Sequence, residues 1–322
     1  MSKLLSICVP TYNRASYLEK GLLAIFRAIQ GYENEIEVRV SDNNSQDNTQ
    51  EVLEKFKKEF PHLIYSKNSQ NIGAERNNAK LVAESQGEFI WIVGDDDIVL
   101  PNSGKFILER LKMGYNSAII NFINIFPPFD LKGSSIFQFN DLHIQSAHEC
   151  MEKFKFDLSF ISSLILPQKW WKTYYANFID TGFAHLGVLF SGLMEKCNLA
   201  FIKEPVMLHV LGTPSDFGNF SLEYYLIEGV GTLLRAFRSM EYPHQSVSKL
   251  ANHALYWVIH RFDRLSRWQK LKKIPFARII QNYGAYSNCW WLVFIEPFLP
   301  IAFSQFIRKC RKHLLSVLSF TS

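Results

Sequence analysis

The amino-terminal part of the chain predicts an α/β fold, and three observations carry that prediction. Short apolar runs that read as buried strands alternate with segments whose apolar residues recur at helical spacing. Three of those strands end in polar loops, at Thr11 to Arg14, Asp42 to Ser45 and Asp95 to Asp97, and ligands of open α/β sheets sit at such carboxyl ends. The turn after the first strand, Pro10-Thr11-Tyr12-Asn13-Arg14, has no glycine, and no G-x-x-x-x-G-K-[ST] loop occurs. A dinucleotide-binding turn and a P-loop are thereby excluded.

The elements follow in order. Leu4 to Val9 is an apolar run closed by Pro10, a buried strand leaving its sheet. Leu18, Leu22, Ile25, Phe26 and Ile29 give one helix face, and Ile36, Val38 and Val40 alternate as a second strand. Val52, Leu53, Phe56 and Phe60 form the next helix face, with Asp47 or Asn48 as its cap. Leu63 to Tyr65 is a short strand, and Ala74 to Glu84 is helical by propensity, with Gly87 as a stop. Phe89 to Val93 is a buried strand that ends in Gly94-Asp95-Asp96-Asp97. Beyond it, Ser117 to Phe122 and Phe160 to Leu166 read as strands, with Pro127-Pro128 breaking between them. Trp170-Trp171 reads as core in preference to an acceptor wall, and Val206 to His209 is a strand before the polar loop Leu211 to Asp216.

The 322 residues are 48% hydrophobic and 20% charged, a globular balance. Five scattered cysteines, Cys8, Cys150, Cys197, Cys289 and Cys310, form no C-x-x-C pair, which points to a reducing compartment and against a zinc site. Leu4 to Val9 is too short for an export signal, so a cytoplasmic location is expected. The net charge of +5 is uneven: residues 261–313 hold eleven Lys or Arg against two acids, Asp263 and Glu296. Leu255, Val258, Ile259, Phe262 and Leu265 make the apolar face of a helix whose other sides carry Arg261, Arg264, Arg267 and Lys270. Trp290 to Ile295, broken by Glu296, Pro297 and Pro300 before Ile301 to Phe303, is too short to span a bilayer and suits its interface. With Arg308-Lys309-Cys310-Arg311-Lys312 these features predict docking on an anionic membrane; no nucleic-acid recognition motif accompanies the charge.

Three adjacent aspartates repel one another unless a cation relieves them, and an all-oxygen site suits Mg²⁺ or Mn²⁺. The bland alternative is a solvated acidic turn.

The chain resembles the family-2 inverting glycosyltransferases of GT-A fold. The residues that carry the resemblance are Val9-Pro10-Thr11-Tyr12-Asn13-Arg14, Val40-Ser41-Asp42-Asn43-Asn44-Ser45 with Asp47 and Thr49, Asn71-Ile72-Gly73 with Arg76 and Asn77, and Gly94-Asp95-Asp96-Asp97 with Pro101. The resemblance implies a GT-A nucleotide-diphospho-sugar transferase domain with a mixed central sheet over residues 1–215, donor half 1–105 and acceptor half 106–215. A helical, membrane-associating segment over 216–322 would follow. It also implies a donor site of Thr11, Tyr12, Asn13, Arg14, Asp42, Asn71, Arg76 and Asp95, with Thr11 and Asp42 at the base and ribose and Arg76 near the base or diphosphate. The divalent metal, Mg²⁺ or Mn²⁺, falls to Asp96, with Asp97 and His209 beside it. The family's base position falls on His185, with Asp180 one turn earlier as the alternative.

Where the common motif begins with Asp, this chain has Gly94, similar to the O-antigen abequosyltransferase subgroup. Deoxy and dideoxyhexose donors linked to CDP, UDP or dTDP therefore enter, with a lipid-linked saccharide as acceptor and the inner face of the bacterial cytoplasmic membrane as the location. The rival functions are a sugar nucleotidyltransferase and a non-catalytic membrane-associated binding protein.

Overall fold

The structure is a computed structural model and describes residues 3–125, 135–139, 142–210, 225–261 and 276–286. The chain divides into two compact units, Met1–Phe220 and Ser221–Ser322.

In the first unit, β1 (Leu5–Thr11), β2 (Ile36–Asp42), β3 (Leu63–Lys67) and β4 (Phe89–Ile92) alternate with α1 (Ala15–Ala28), α2 (Thr49–Glu59) and α3 (Ala74–Glu84). β1, β2 and β4 are buried along almost their whole length, because helices cover both faces of a parallel sheet. The unit continues with β5 (Ile98–Val99), α4 (Ser103–Lys112), β6 (Ser117–Ile125), β7 (Leu142–Ile144), α5 (Ala147–Phe154), β8 (Leu164–Pro167), α6 (Gln168–Tyr174), α7 (Ala184–Glu195) and β9 (Leu199–Val210). These strands make one sheet in the order β3-β2-β1-β4-β8-β6-β9-β5, with β7 on β9. β3, β2, β1 and β4 run parallel; β8 is antiparallel to β4 and β6, and β6 is parallel to β9. The sheet is therefore mixed. The chain leaves β1 toward β2 on one side and returns to β4 on the other, and a crevice opens at their carboxyl ends.

Local chemistry explains where the elements depart from the sequence expectation. Asp47, not Asn48, caps α2: its Oδ1 accepts from the Thr49 amide and hydroxyl at 3.2 and 2.6 Å. The strand expected over Phe160 to Leu166 is shorter. Residues 161–163 form a 3₁₀ turn and pairing begins at Leu164, because Ser162 turns its carbonyl to Trp91 Nε1 (2.8 Å) and its hydroxyl toward the acidic turn. His209 lies near the end of a strand of 12 residues, much longer than its apolar tail suggests. Trp170 and Trp171 are buried core, with Trp170 packed over Gly192 of α7.

The second unit contains a π turn (Tyr225–Gly229), α8 (Val230–Ser239), α9 (His244–Arg261) and α10 (Phe276–Tyr283). Leu233, Leu234, Phe237, Leu250, Leu255, Ile279 and Tyr283 form its core. No described helix is long and apolar enough to cross a membrane. Pro127-Pro128, the loop Leu211 to Asp216, the basic face from Arg264 to Lys270, the aromatic run Trp290 to Phe303 and the cluster Arg308 to Lys312 lie outside the described residues.

Candidate active site

The acidic turn sits where β4 ends beside β1. The Val93 amide donates to Cys8 O, and the Asp97 amide closes the turn on Gly94 O. Each carboxylate then meets a different partner. Asp95 Oδ2 accepts from Thr11 Oγ1 at 2.7 Å. Arg14 Nη2 donates to Asp96 Oδ2 at 2.5 Å, and Arg14 Nε lies 3.3 Å from Asp95 Oδ1, a charge contact without hydrogen-bond alignment. Asp97, 1% exposed, accepts from Ser162 Oγ at 2.8 Å and pairs with His209 Nδ1 at 2.9 Å. Burial pushes Asp95 up to about 7 against the pull of Arg14 and Thr11. Burial also raises Asp97, against its contacts with His209 and Ser162.

The mutual repulsion expected of three aspartates is thus relieved by the chain itself, through Arg14 on two of them and Ser162 with His209 on the third. Arg14 is thus engaged as an internal counter-ion of the acidic turn. Asp97 has both oxygens engaged inside the protein, one by Ser162 and one by His209. Asp97 Oδ1 meets the ring at Nδ1, so Nε2 is the ring nitrogen that Asp97 does not engage, the arrangement in which a carboxylate orients a metal-binding histidine. The ring is braced by Phe160 and Phe122, with centroids at 4.0 and 6.1 Å.

These residues fit a divalent cation in one way. Among the described residues no three His, Cys, Asp or Glu side chains cluster to hold a metal unaided. Mg²⁺ and Mn²⁺ sites built on one or two protein ligands complete their shell with phosphate oxygens and water. Asp96 and His209 would hold such an ion together with a diphosphate.

The first two loops are stitched together. Asn13, at φ 53°, accepts the Gln46 amide on Oδ1 (2.7 Å) and donates its own amide to Ser45 Oγ (2.8 Å). The Asp42 side chain is fully buried. Its Oδ1 accepts from the Ser45 amide at 2.8 Å, its Oδ2 from Gln50 Nε2 at 2.6 Å, and Lys67 Nζ lies 4.0 Å away. Both Asp42 oxygens are thus engaged within the second loop and α2. Asn71 Oδ1 accepts from the Gly73 amide and Asn43 Nδ2, and Asn68 Nδ2 bridges Asn43 and Asn77. Tyr12 is half-buried in the first loop.

The candidate bases lie beside α3. Arg76 grips Asp180 with two bonds, Nη1 to Oδ1 at 2.8 Å and Nη2 to Oδ2 at 2.9 Å. Asp180 is exposed, in the left-handed region at φ 68°. His185 is 5% exposed on α7, and its Nε2 lies 2.9 Å from Ser159 O. Burial lowers it to about 4. A ring so enclosed, with Nε2 spent on a carbonyl, has the surroundings of a packed core histidine and not of a base. Gly94 differs from expectation too. A Cβ there would stand 2.8 Å from Asp97 Oδ2 and 3.1 Å from Asp96 Oδ1, so a side chain at this position would have to displace those carboxylates.

Residues 6–163 match the family model described as Glycosyl transferase family 2. They are a glycosyl transferase family 2 domain. The chain is 27% identical over 227 residues to the abequosyltransferase RfbV of Salmonella typhimurium, covering 64% of this chain and 66% of that one. It is 28% identical over 184 residues to the GalNAc(5)-diNAcBac-PP-undecaprenol beta-1,3-glucosyltransferase of Campylobacter jejuni, covering 54% and 56%. The chain thus spans less than two thirds of the length of these curated relatives. The crystal structure of S. aureus TarS 1-349 in complex with UDP-GlcNAc superposes with a TM-score of 0.65 at 15% identity, covering 88% of this chain and 80% of that one. The fold is accordingly α/β and GT-A-like, with a mixed central sheet.

Two working residues near the family-2 domain's crevice escaped the sequence reading. Ser162 anchors Asp97 and receives the Gly94 amide at 3.1 Å. Its signal was a serine pair inside an apolar run. Gln50, the second residue of α2, holds Asp42, and nothing in the sequence marked it.

Proposed function

We propose that this chain is an inverting glycosyltransferase that moves a sugar from a nucleoside-diphosphate donor to a lipid-linked saccharide. The observation that carries the proposal is the acidic turn at the carboxyl ends of β1 and β4, where Asp97 pairs with His209 and Asp96 with Arg14. Asp96 and His209 would hold a divalent ion at the donor's diphosphate end. When bound, that ion supplies charge neutralisation for the leaving nucleoside diphosphate. Asp180 is the base. As the acceptor hydroxyl oxygen bonds to the anomeric carbon, the carboxylate takes its proton and the bond to the diphosphate breaks on the opposite face. Arg76 holds the Asp180 carboxylate with two hydrogen bonds.

Further support comes from relatives whose names describe transfer of abequose and transfer to a PP-undecaprenol saccharide, and from a similar fold that holds UDP-GlcNAc. Deoxyhexoses linked to CDP, UDP or dTDP belong among the candidate donors. The basic carboxyl-terminal sequence suits work at the inner face of a bacterial cytoplasmic membrane.

The test is a thermal-shift panel of CDP, UDP, GDP and dTDP with and without Mn²⁺. At a hundred times its Kd a nucleotide stabilises by about 2.7 kcal/mol, so the cognate base stands out from the rest. Asp96→Ala should abolish the Mn²⁺-dependent part of the shift. If no nucleotide stabilises the protein, the proposal fails.

A further inference from the structure

Asp180 lies on an exposed loop, and a base in such a place needs something to hold it. The loop over residues 178–184 carries two left-handed residues, Asp180 at φ 68° and Gly182 at φ 75°. Backbone in such conformations can aim amides at an anion. Here the Glu75 carboxylate accepts the Ala184 amide at 3.4 Å. Burial raises the pKa of Glu75, and the amides of Ala184, Asp180 and Gly182 pull it down. Tyr175, buried ahead of the loop, donates its hydroxyl to Glu75 O at 2.9 Å. The next residue, Arg76, holds the Asp180 side chain with its two bonds. Two consecutive residues at the start of α3 thus grip one loop, one by its backbone and one by its side chain.

We propose that Glu75 is a positioning residue that fixes the Asp180 loop for proton removal. The proposal rests on Asp180 being the base. α3 begins directly after Asn71 and Gly73, which are bonded to the second loop of the crevice through Asn43, so Glu75 links the donor side to the acceptor side of the reaction. A surface ion pair such as Arg76–Asp180 is by itself a weak tether, whereas the Glu75 carboxylate, bonded to the Ala184 amide, holds the loop by its backbone.

The experiment uses the full chain with Glu75→Gln, Asp180→Asn and the double variant. Glutamine keeps the shape of the side chain but brings an NH₂ against the loop amides. Turnover is read as nucleoside-diphosphate release from UDP-, CDP- and dTDP-hexoses with water as acceptor, and nucleotide binding by titration with the free nucleoside diphosphates. Asp180→Asn should lower kcat about a hundredfold or more. Glu75→Gln should lower kcat about tenfold to a hundredfold with nucleotide Kd unchanged, since a small misplacement of a reacting group has that effect. The double variant should be no worse than Asp180→Asn alone, because the two residues act as one unit. Amide hydrogen exchange over 178–184 should speed up in Glu75→Gln. A slow Asp180→Asn beside a Glu75→Gln of normal kcat and unchanged exchange sinks the clasp alone. Normal turnover in Asp180→Asn sinks the base assignment, and the clasp's catalytic role with it.

Discussion

Two side chains compete for the role of base, and their surroundings separate them. Asp180 stands at 61% exposure with Arg76 as its counter-ion, while His185 is sealed against the Ser159 carbonyl. The imidazole titrates near 6.5 in an unfolded chain but near 4 in place. Between those values the unfolded state binds more protons, so stability falls as pH drops from about 6.5 toward 4. His185→Gln can keep the bond to Ser159 and cannot titrate. Between pH 7 and pH 5 the wild type should lose about 2 kcal/mol more than this variant, measured by urea unfolding. The variant should keep near-normal turnover, and a hundredfold loss would return the base role to the imidazole. The acids and His209 were legible in the sequence because apolar strands deliver them to polar ends. Their partners were not, since Arg14 reaches Asp96 over 82 residues, Ser162 reaches Asp97 over 65 and His209 reaches Asp97 over 112. Pairings at such separations are set by tertiary packing and leave no local pattern.

At the scale of elements, the helices and parallel strands of the first hundred residues read true because period and propensity agree there with the final packing; α3 spans Ala74–Glu84 as propensity alone placed it. β5 went unseen since two residues carry no period, and β9 was cut short because Glu204 and Pro205 interrupt its apolar pattern where the ladder to β6 bulges. The approach of α1 to the acidic turn was equally hidden. Gly21 sits on the buried face of α1, and a Cβ there would stand 2.8 Å from the Asp95 carbonyl oxygen. Helix propensity alone says that Gly21→Ala should stabilise α1 by about 1 kcal/mol. Contact with main chain reverses the sign: the helix must lift or the turn must move, at a cost of roughly 1 to 3 kcal/mol. Gly21→Ala should therefore lower Tm and weaken nucleotide binding together, because the turn that moves is the one bearing Asp95, Asp96 and Asp97. A variant more stable than wild type would show that α1 can shift without disturbing the site.

Over the whole molecule the charge is divided in a way the net value of +5 conceals. Residues 261–313 carry +9, leaving the remainder of the chain acidic by about −4. Basic residues close to an anionic bilayer contribute about 1 kcal/mol each, and the attraction fades within a Debye length, about 10 Å at 0.1 M salt. Interfacial tryptophans such as Trp290 and Trp291 would add an apolar share that salt does not screen. Binding should therefore have two parts with different salt dependence. The full chain should sediment with vesicles of phosphatidylglycerol and phosphatidylcholine in low salt, and much less with phosphatidylcholine alone. Raising the salt to 0.5 M should release most of the protein but leave a fraction bound. Replacing Arg308, Lys309, Arg311 and Lys312 by alanine should weaken low-salt binding at least about tenfold while leaving the high-salt fraction in place. Equal binding to neutral and anionic vesicles, or no response to the four substitutions, would mean that the basic sequence serves something other than a membrane, and the acceptor would then have to be sought in solution.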